Sequence, residues 1–330
     1  MEIINTKSSV KIDIPLGEAI ASKETALLKE TIRKKQLRAN LTPYLFLFPS
    51  LLVLGFWLYR PLVNTFYYAF TSWNMLPNTK PVFIGLGNFT KLFRNKDFGV
   101  AISNTAFYTL FLMPFSVVFP LFLANITNNM KGRMKSVYRA LFFLPMIMAG
   151  VSTATIFRWL LNPGTGLINN ILIKIGLTTE NISFFMEADK AKWVILLITG
   201  WKMIGFSTVM FSAALSGVDK SYYEAASLDG ADKFQRFKDF TVPLISPTIM
   251  FMVMMSILFA SQWTFAYIDI LTGGGPYGTS TNIYYEMYKY GFSQMNVGIS
   301  SAAANLFLFV FGAIALYMTR LSKKLSFYDN

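Results

Sequence analysis

Six apolar runs divide the chain, at residues 43–70, 100–126, 137–161, 193–217, 244–270 and 296–319. Each is at or above the length of about 20 residues that a helix needs to cross a bilayer's hydrocarbon core. Several carry internal proline (Pro49, Pro114, Pro120, Pro145), which membrane helices tolerate when neighbours satisfy the freed carbonyls. The sixth contains "GISSAAANLFLFVFGA", whose small residues suit close helix contact. The pattern predicts an all-α integral membrane protein with six transmembrane helices. Residues 1–42 form a polar N-terminal tail, 43–322 the membrane domain and 323–330 a short C-terminal tail. Between the runs, 162–177 reads as a turn and a short apolar helix, and 271–292 as a glycine–proline turn and a tyrosine-rich amphipathic segment.

Composition agrees with the pattern. Charged residues make up 14% of the chain, against about a quarter in soluble domains. The formal net charge is +13, but its distribution points to membrane orientation and not to nucleic acid. With the N-terminus placed in the cytoplasm, nineteen Lys and Arg lie on the inner side and eight on the outer side. Both termini are therefore expected in the cytoplasm, and the loop between the fourth and fifth spans with them. Eight of the inner cations belong to the N-terminal tail, which reads either as a basic amphipathic helix on the inner leaflet or as a solvated tail.

Histidine and cysteine are absent, which removes imidazole bases, thiolate nucleophiles, disulfides and the usual zinc ligands. Gly273 and Gly278, followed by Thr279 and Ser280, have phosphate-loop spacing, but no lysine follows and no strand precedes. No acid pair is convincing; Asp269 stands alone near a helix end. The chain is expected to be a non-catalytic subunit, with no cofactor of its own. Three cations fall in or at the edges of the spans. Arg60 and Arg158 can snorkel to headgroups. Lys202, about ten residues into the fourth run, reads as a functional residue or as a lysine paired inside the bundle.

The inner loop "DKSYYEAASLDGADKFQRFKDFTVPLISP" reads as two short helices joined at a glycine. Ser221 is a candidate cap with Glu224 as its capping-box partner, and Gly230 a left-handed stop. Ala225 and Ala226 leave a thin helix face, Phe234, Phe237 and Phe240 form a stripe, and Pro243 opens the fifth span.

This stretch resembles the EAA loop of permease subunits in type I ABC importers: Glu-Ala-Ala, three residues, Gly, nine residues, then Ile-x-Leu-Pro. Here those places hold Glu224, Ala225, Ala226, Gly230, Phe240, Val242 and Pro243, with Phe240 and Val242 as apolar departures. "RALFFLP", "NPGTGLINNIL", "GWKMIGF" and "LTGGGP" are similar to the carbohydrate-uptake branch of that family. The resemblance implies the permease fold and a prokaryotic cell membrane. It implies a second, different permease chain, two ATPase subunits that bind ATP and Mg, and an extracellular solute-binding protein that delivers a carbohydrate, an oligosaccharide by preference. It implies that Glu224, Ala225, Ala226, Asp229, Gly230 and Pro243 couple the chain to the ATPase. It places the substrate path beside "TGWKMIGF" and "SILFASQWTFAYID", where Trp201, Lys202, Phe206, Ser256, Phe259, Gln262, Trp263 and Tyr267 offer aromatic faces and hydrogen-bonding groups suited to sugars. Two other classes were weighed: an ion-gradient-driven secondary transporter, which would want intramembrane acids and an inverted repeat, and a membrane enzyme, which would want a catalytic cluster.

Overall fold

The computed structural model describes residue 35 and residues 42–325, apart from 129 and 131. The N-terminal tail, with its two readings, lies outside the described residues except for positions 35 and 42. The chain divides into two units at Asn64 and Thr65.

Among the described residues, five helices are long and apolar enough to cross a membrane: Thr42–Ala69, Lys96–Asn128, Ala188–Ser216, Ser246–Thr272 and Val297–Ser322. The expected third span is not one helix. It is a pair, Arg133–Ile147 and Gly150–Leu160, bent by 91° at the break, so the described residues hold five such helices, or six spans if the pair counts as one. Met148 and Ala149 are extended at the break, with ψ near 131° and 137°. The helix loses its ladder there, and the carbonyls at the end of the first half need partners from elsewhere.

In the unit ending at Asn64, the first span contains a π-helical turn at Gly55–Tyr59. Arg60 lies over the Phe56 ring at 5.0 Å, a cation–π contact that keeps its charge against an aromatic face.

In the second unit, the helices Lys96–Met113 and Phe119–Asn128 are joined by a π-helical segment that starts at Pro114, where the ring removes a backbone donor. The main core lies where spans two, four and five meet, around Tyr108, Leu112, Ile195, Leu196, Phe259 and Tyr267. A second cluster joins the same spans at the end nearer the 219–243 loop, through Leu121, Phe211, Leu215, Ile245 and Met252. A third brings the Leu92 and Phe98 helices against Ile283, Tyr290 and Ala303. Glycines permit the tightest approaches. A Cβ at Gly205 would collide with the carbonyl of Phe142, so spans three and four touch backbone to backbone. A Cβ at Gly298 would meet the carbonyl of Thr71, which anchors the sixth span beside the two-residue strand Thr71–Ser72.

Both expected extramembrane features are present. Leu167–Lys174 is a short helix, and Ile283–Tyr288 continues as a π-helical turn to Ser293. The latter is pinned by Asn282, which is fully buried. Its amide donates to Ser261 O (2.9 Å) and Thr264 Oγ1 (2.7 Å), while its oxygen accepts from Tyr285 N.

Candidate functional site: the elbow and the bend

The loop between spans four and five is a helical elbow. Its first limb is Lys220–Leu228. Its second is Lys233–Gln235 followed by a π-helical turn, Arg236–Thr241. The first limb is capped by Asp219 and not by Ser221: the Asp219 carboxylate accepts from Ser221 N at 2.9 Å. A carboxylate two residues upstream reaches the free donor first, so the helix starts before the serine. Those hydrogen bonds hold the Asp219 carboxyl below its ordinary range. The second limb carries a capping box that its sequence spacing also spells, Asp232 with Gln235, each reaching the other's backbone N–H at 2.8 Å.

Gly230 stops the first limb at φ 82°. Ala231 N donates to Ala226 O and Gly230 N to Ser227 O, the paired bonds of a left-handed helix stop. The limbs are joined inside the angle, where the Tyr223 hydroxyl pairs with Thr241 Oγ1 at 3.2 Å. The two alanines separate in role. Ala226 is buried in the elbow's own interior, whereas Ala225 is exposed. Glu224, Leu228, Asp229 and Phe234 are exposed as well. The phenylalanine stripe is graded, with Phe234 outside and Phe237 and Phe240 half-buried. Pro243 lies in a short turn, Val242–Leu244, and the fifth span proper begins at Ser246.

The eight residues of the expected path do not line one surface. Phe206, Phe259 and Trp263 come together: Phe259 stacks on Trp263 at 4.3 Å, and Phe206 meets both edge-on. Gln262 is exposed on the adjoining turn. Ser256 is buried, with its hydroxyl donating to its own helix at Val253 O. Tyr267 is buried in the core. Trp201 packs edge-on against Phe157 of the bent pair.

Lys202 settles differently from the rest. It is 8% exposed, and its ammonium donates to Met148 O at 2.6 Å. That carbonyl is one of those freed by the break in span three. Met148 lies outside any helix and close to Pro145, and nothing in the local sequence marks it as Lys202's partner; the pairing requires the bend to be known first. The two halves of the bent pair then pack on different neighbours. Arg133–Ile147 lies along the fourth span, and Gly150–Leu160 lies against Phe265–Thr272 at the end of the fifth, where Gly150 faces Ala266.

Long apolar helices, a polar elbow and close glycine contacts are the features of a multi-pass membrane protein. Residues 39–326 match the family described as "Binding-protein-dependent transport system inner membrane component", and the chain belongs to that family. It is 29% identical over 286 residues to the sn-glycerol-3-phosphate transport system permease protein UgpA of Yersinia pestis bv. Antiqua, covering 86% of this chain and 95% of the relative. It is 32% identical to the probable ABC transporter permease protein YesP of Bacillus subtilis, covering 88% and 93%. Its fold is similar to a chain of a bacterial ABC transporter involved in import of the acidic polysaccharide alginate, with a TM-score of 0.76, 26% identity and coverage of 91% and 99%. The chain is a multi-pass permease of the type I ABC class.

Proposed function

We propose that this chain forms half of the membrane pathway of an ATP-driven importer that brings a carbohydrate into the cell. The observation that carries this reading is the elbow at 219–243, a preformed and internally braced projection with an exposed outer edge. Glu224, Ala225, Asp229 and Gly230 present that edge to a partner ATPase subunit. Ala226 and Pro243 act within the chain: the alanine lets the limbs close, and the proline turns the second limb into span five. With Lys and Arg biased inward, the pair at 133–160 counts as one of six spans and both termini face the cytoplasm. Two ATPase subunits supply hydrolysis, with ATP and Mg, and a second permease chain completes the pathway.

The family description supports a solute-binding protein, and segments 162–192 and 271–293 are the surfaces to receive it. The relatives' names, sn-glycerol-3-phosphate and alginate, support a sugar-like solute. An oligosaccharide remains the preferred cargo. Phe206, Phe259, Gln262 and Trp263 are the contact set for it, because stacked aromatic faces beside an exposed amide suit sugar C–H patches and hydroxyls. An ion-gradient mechanism is not favoured by the family match.

The test is Gly230→Val in the assembled transporter. A β-branched residue at φ 82° is strained by about 1–3 kcal/mol. The elbow should distort, and solute-dependent ATP hydrolysis and uptake should fall together while membrane insertion is retained. Normal uptake by that variant would refute the coupling role.

A further inference from the structure

A cleft of about 1010 Å³ opens beneath the elbow, between the ends of spans two and four and the start of the 133–147 helix. Its lining is strongly cationic. Lys135, Lys220, Lys233 and Arg236 face it, and Glu224 is the one acid among the lining residues. The described ion pairs, Lys190–Glu187 and Lys289–Glu286, include none of these cations. Lys135 donates to Asn128, to its carbonyl at 3.3 Å and its side-chain oxygen at 3.0 Å.

One helical turn beyond Lys135, on the same face, lies Arg139. Its Nε and Nη2 atoms are buried and have no hydrogen-bond partner among the described residues. Leaving those two atoms unpaired is costly, because a buried donor forfeits its hydration. A planar fork of donors one turn from Lys135, which lines the cleft, has the chemistry that recognises a phosphate group.

The surroundings indicate where that phosphate comes from. Met134, Val137, Leu141 and Leu144 form the other face of the same helix, and each is between 47% and 59% exposed. Leu215 and Val218, at the end of span four, add apolar lining to the cleft itself. Cations around a cleft that carries its own apolar lining, beside a helix whose opposite face is apolar and exposed, match the headgroup and upper acyl chains of a lipid. A free anion has no use for the apolar lining. We propose that the cleft, with Arg139 one turn beyond Lys135, binds the phosphate headgroup of an anionic phospholipid of the cytoplasmic leaflet. The acyl chains leave the cleft past Leu215 and Val218 toward the exposed side of the 133–147 helix. The lipid would then wedge beneath the elbow and sense its position.

The experiment measures lipid retention by native mass spectrometry of the purified full chain, released from nanodiscs made of equal parts phosphatidylglycerol and phosphatidylcholine. Phosphatidylglycerol should be retained in preference. In Lys135→Gln/Arg139→Gln that preference should fall about 25-fold, since each Lys or Arg near an anionic lipid contributes roughly fivefold. Lys91→Gln/Arg94→Gln removes the same net charge away from the cleft and should leave the preference intact. The conservative Lys135→Arg/Arg139→Lys should keep most of it. Equal retention of the two lipids by the unsubstituted chain would overturn the proposal without any variant. So would equal losses in the two double variants, which would reveal a net-charge effect. Displacement of all bound anionic lipid by millimolar inorganic phosphate, with no loss of the bound anion, would identify a free-anion site and sink the lipid assignment.

Discussion

Replacing Lys202 with methionine removes the ammonium that holds the broken third span while keeping side-chain length and apolar bulk. A hydrogen bond from a charged donor contributes about 1.5–3 kcal/mol, and losing it leaves the Met148 carbonyl without that partner in a buried setting. Against this, methionine no longer has to bury a charge, and Lys202 is only 8% exposed. The desolvation relief offsets part of the loss, leaving a net cost of about 1–2 kcal/mol, or a shift of roughly 5–30-fold in the equilibrium between bent and altered arrangements. The chain contains no cysteine, so labels can be placed without background. Spin labels at Leu144→Cys and Ile156→Cys flank the bend at exposed positions. The parent chain should give one narrow distance distribution. Lys202→Met should broaden it or add a second population, and Lys202→Arg, which retains a donor, should restore much of the original. Identical distributions and identical thermal stability in Lys202→Met and its parent would show that the 2.6 Å contact does not hold the bend.

Gly205→Ala forces a Cβ onto the Phe142 carbonyl, so spans three and four must part; thermal unfolding in detergent should show a loss of about 1–3 kcal/mol, and an unchanged melt would contradict the backbone contact. The Asp219 carboxyl is held low by its bonds to Ser221, so its contribution to the first limb is present above the ordinary carboxylate range and lost as pH falls through its lowered value. Amide exchange at 219–224 should accelerate on acidification, and Asp219→Asn should remove most of that pH dependence. Burial, with the nearby Asp269 charge second, pushes Tyr285 up to about 12 from 10.0, so the neutral phenol is favoured and its stabilisation is lost as pH rises across that window. Asp269→Asn should shift the tyrosinate absorbance transition of Tyr285 downward; no shift would separate the two side chains electrostatically.

Five of the six apolar runs overlap long apolar helices, because hydrocarbon imposes one requirement on every position; the third run is broken in two. The elbow was legible for a related reason: Gly230 must be the left-handed stop because few other residues accept φ 82°. What escaped was set by tertiary contact. Pro145 and Gly150 flank the break in span three, but neither fixes a 91° bend; that direction follows from the two halves packing on different spans. Ser221 has the chemistry of a cap, and Asp219 displaced it because the helix begins two residues earlier than the capping-box spacing suggested. The alanine pair reads as one thin face in sequence, yet helical rotation puts Ala226 inside the elbow and Ala225 outside. Aromatic and polar residue types in spans four and five could not be sorted by type alone. Ser256 bonds its own helix, whereas Phe206, Phe259 and Trp263 converge from two spans.

These contacts leave little slack between the elbow and the membrane. Only Gly217, Val218 and Asp219 separate the end of span four from the first limb, and the second limb runs through Val242–Leu244 into span five. Tyr223 and Thr241 tie the limbs to each other. Ile245, at the foot of span five, is buried with Leu215 and Phe211 of span four and Leu121 of span two. Close-packed side chains transmit displacement because an interior has few voids to absorb it. A push on the elbow therefore rotates or translates the lower ends of spans four and five together. Those spans carry Lys202 and the Phe259–Trp263 stack higher up, and Lys202 grips the bend of span three from the side. The elbow, the aromatic cluster and the bend are thus joined by rigid helices, by the close Gly205–Phe142 backbone contact and by one charged hydrogen bond. The hydrogen bond is the link made at the break itself, so Lys202 is where span four holds the bend.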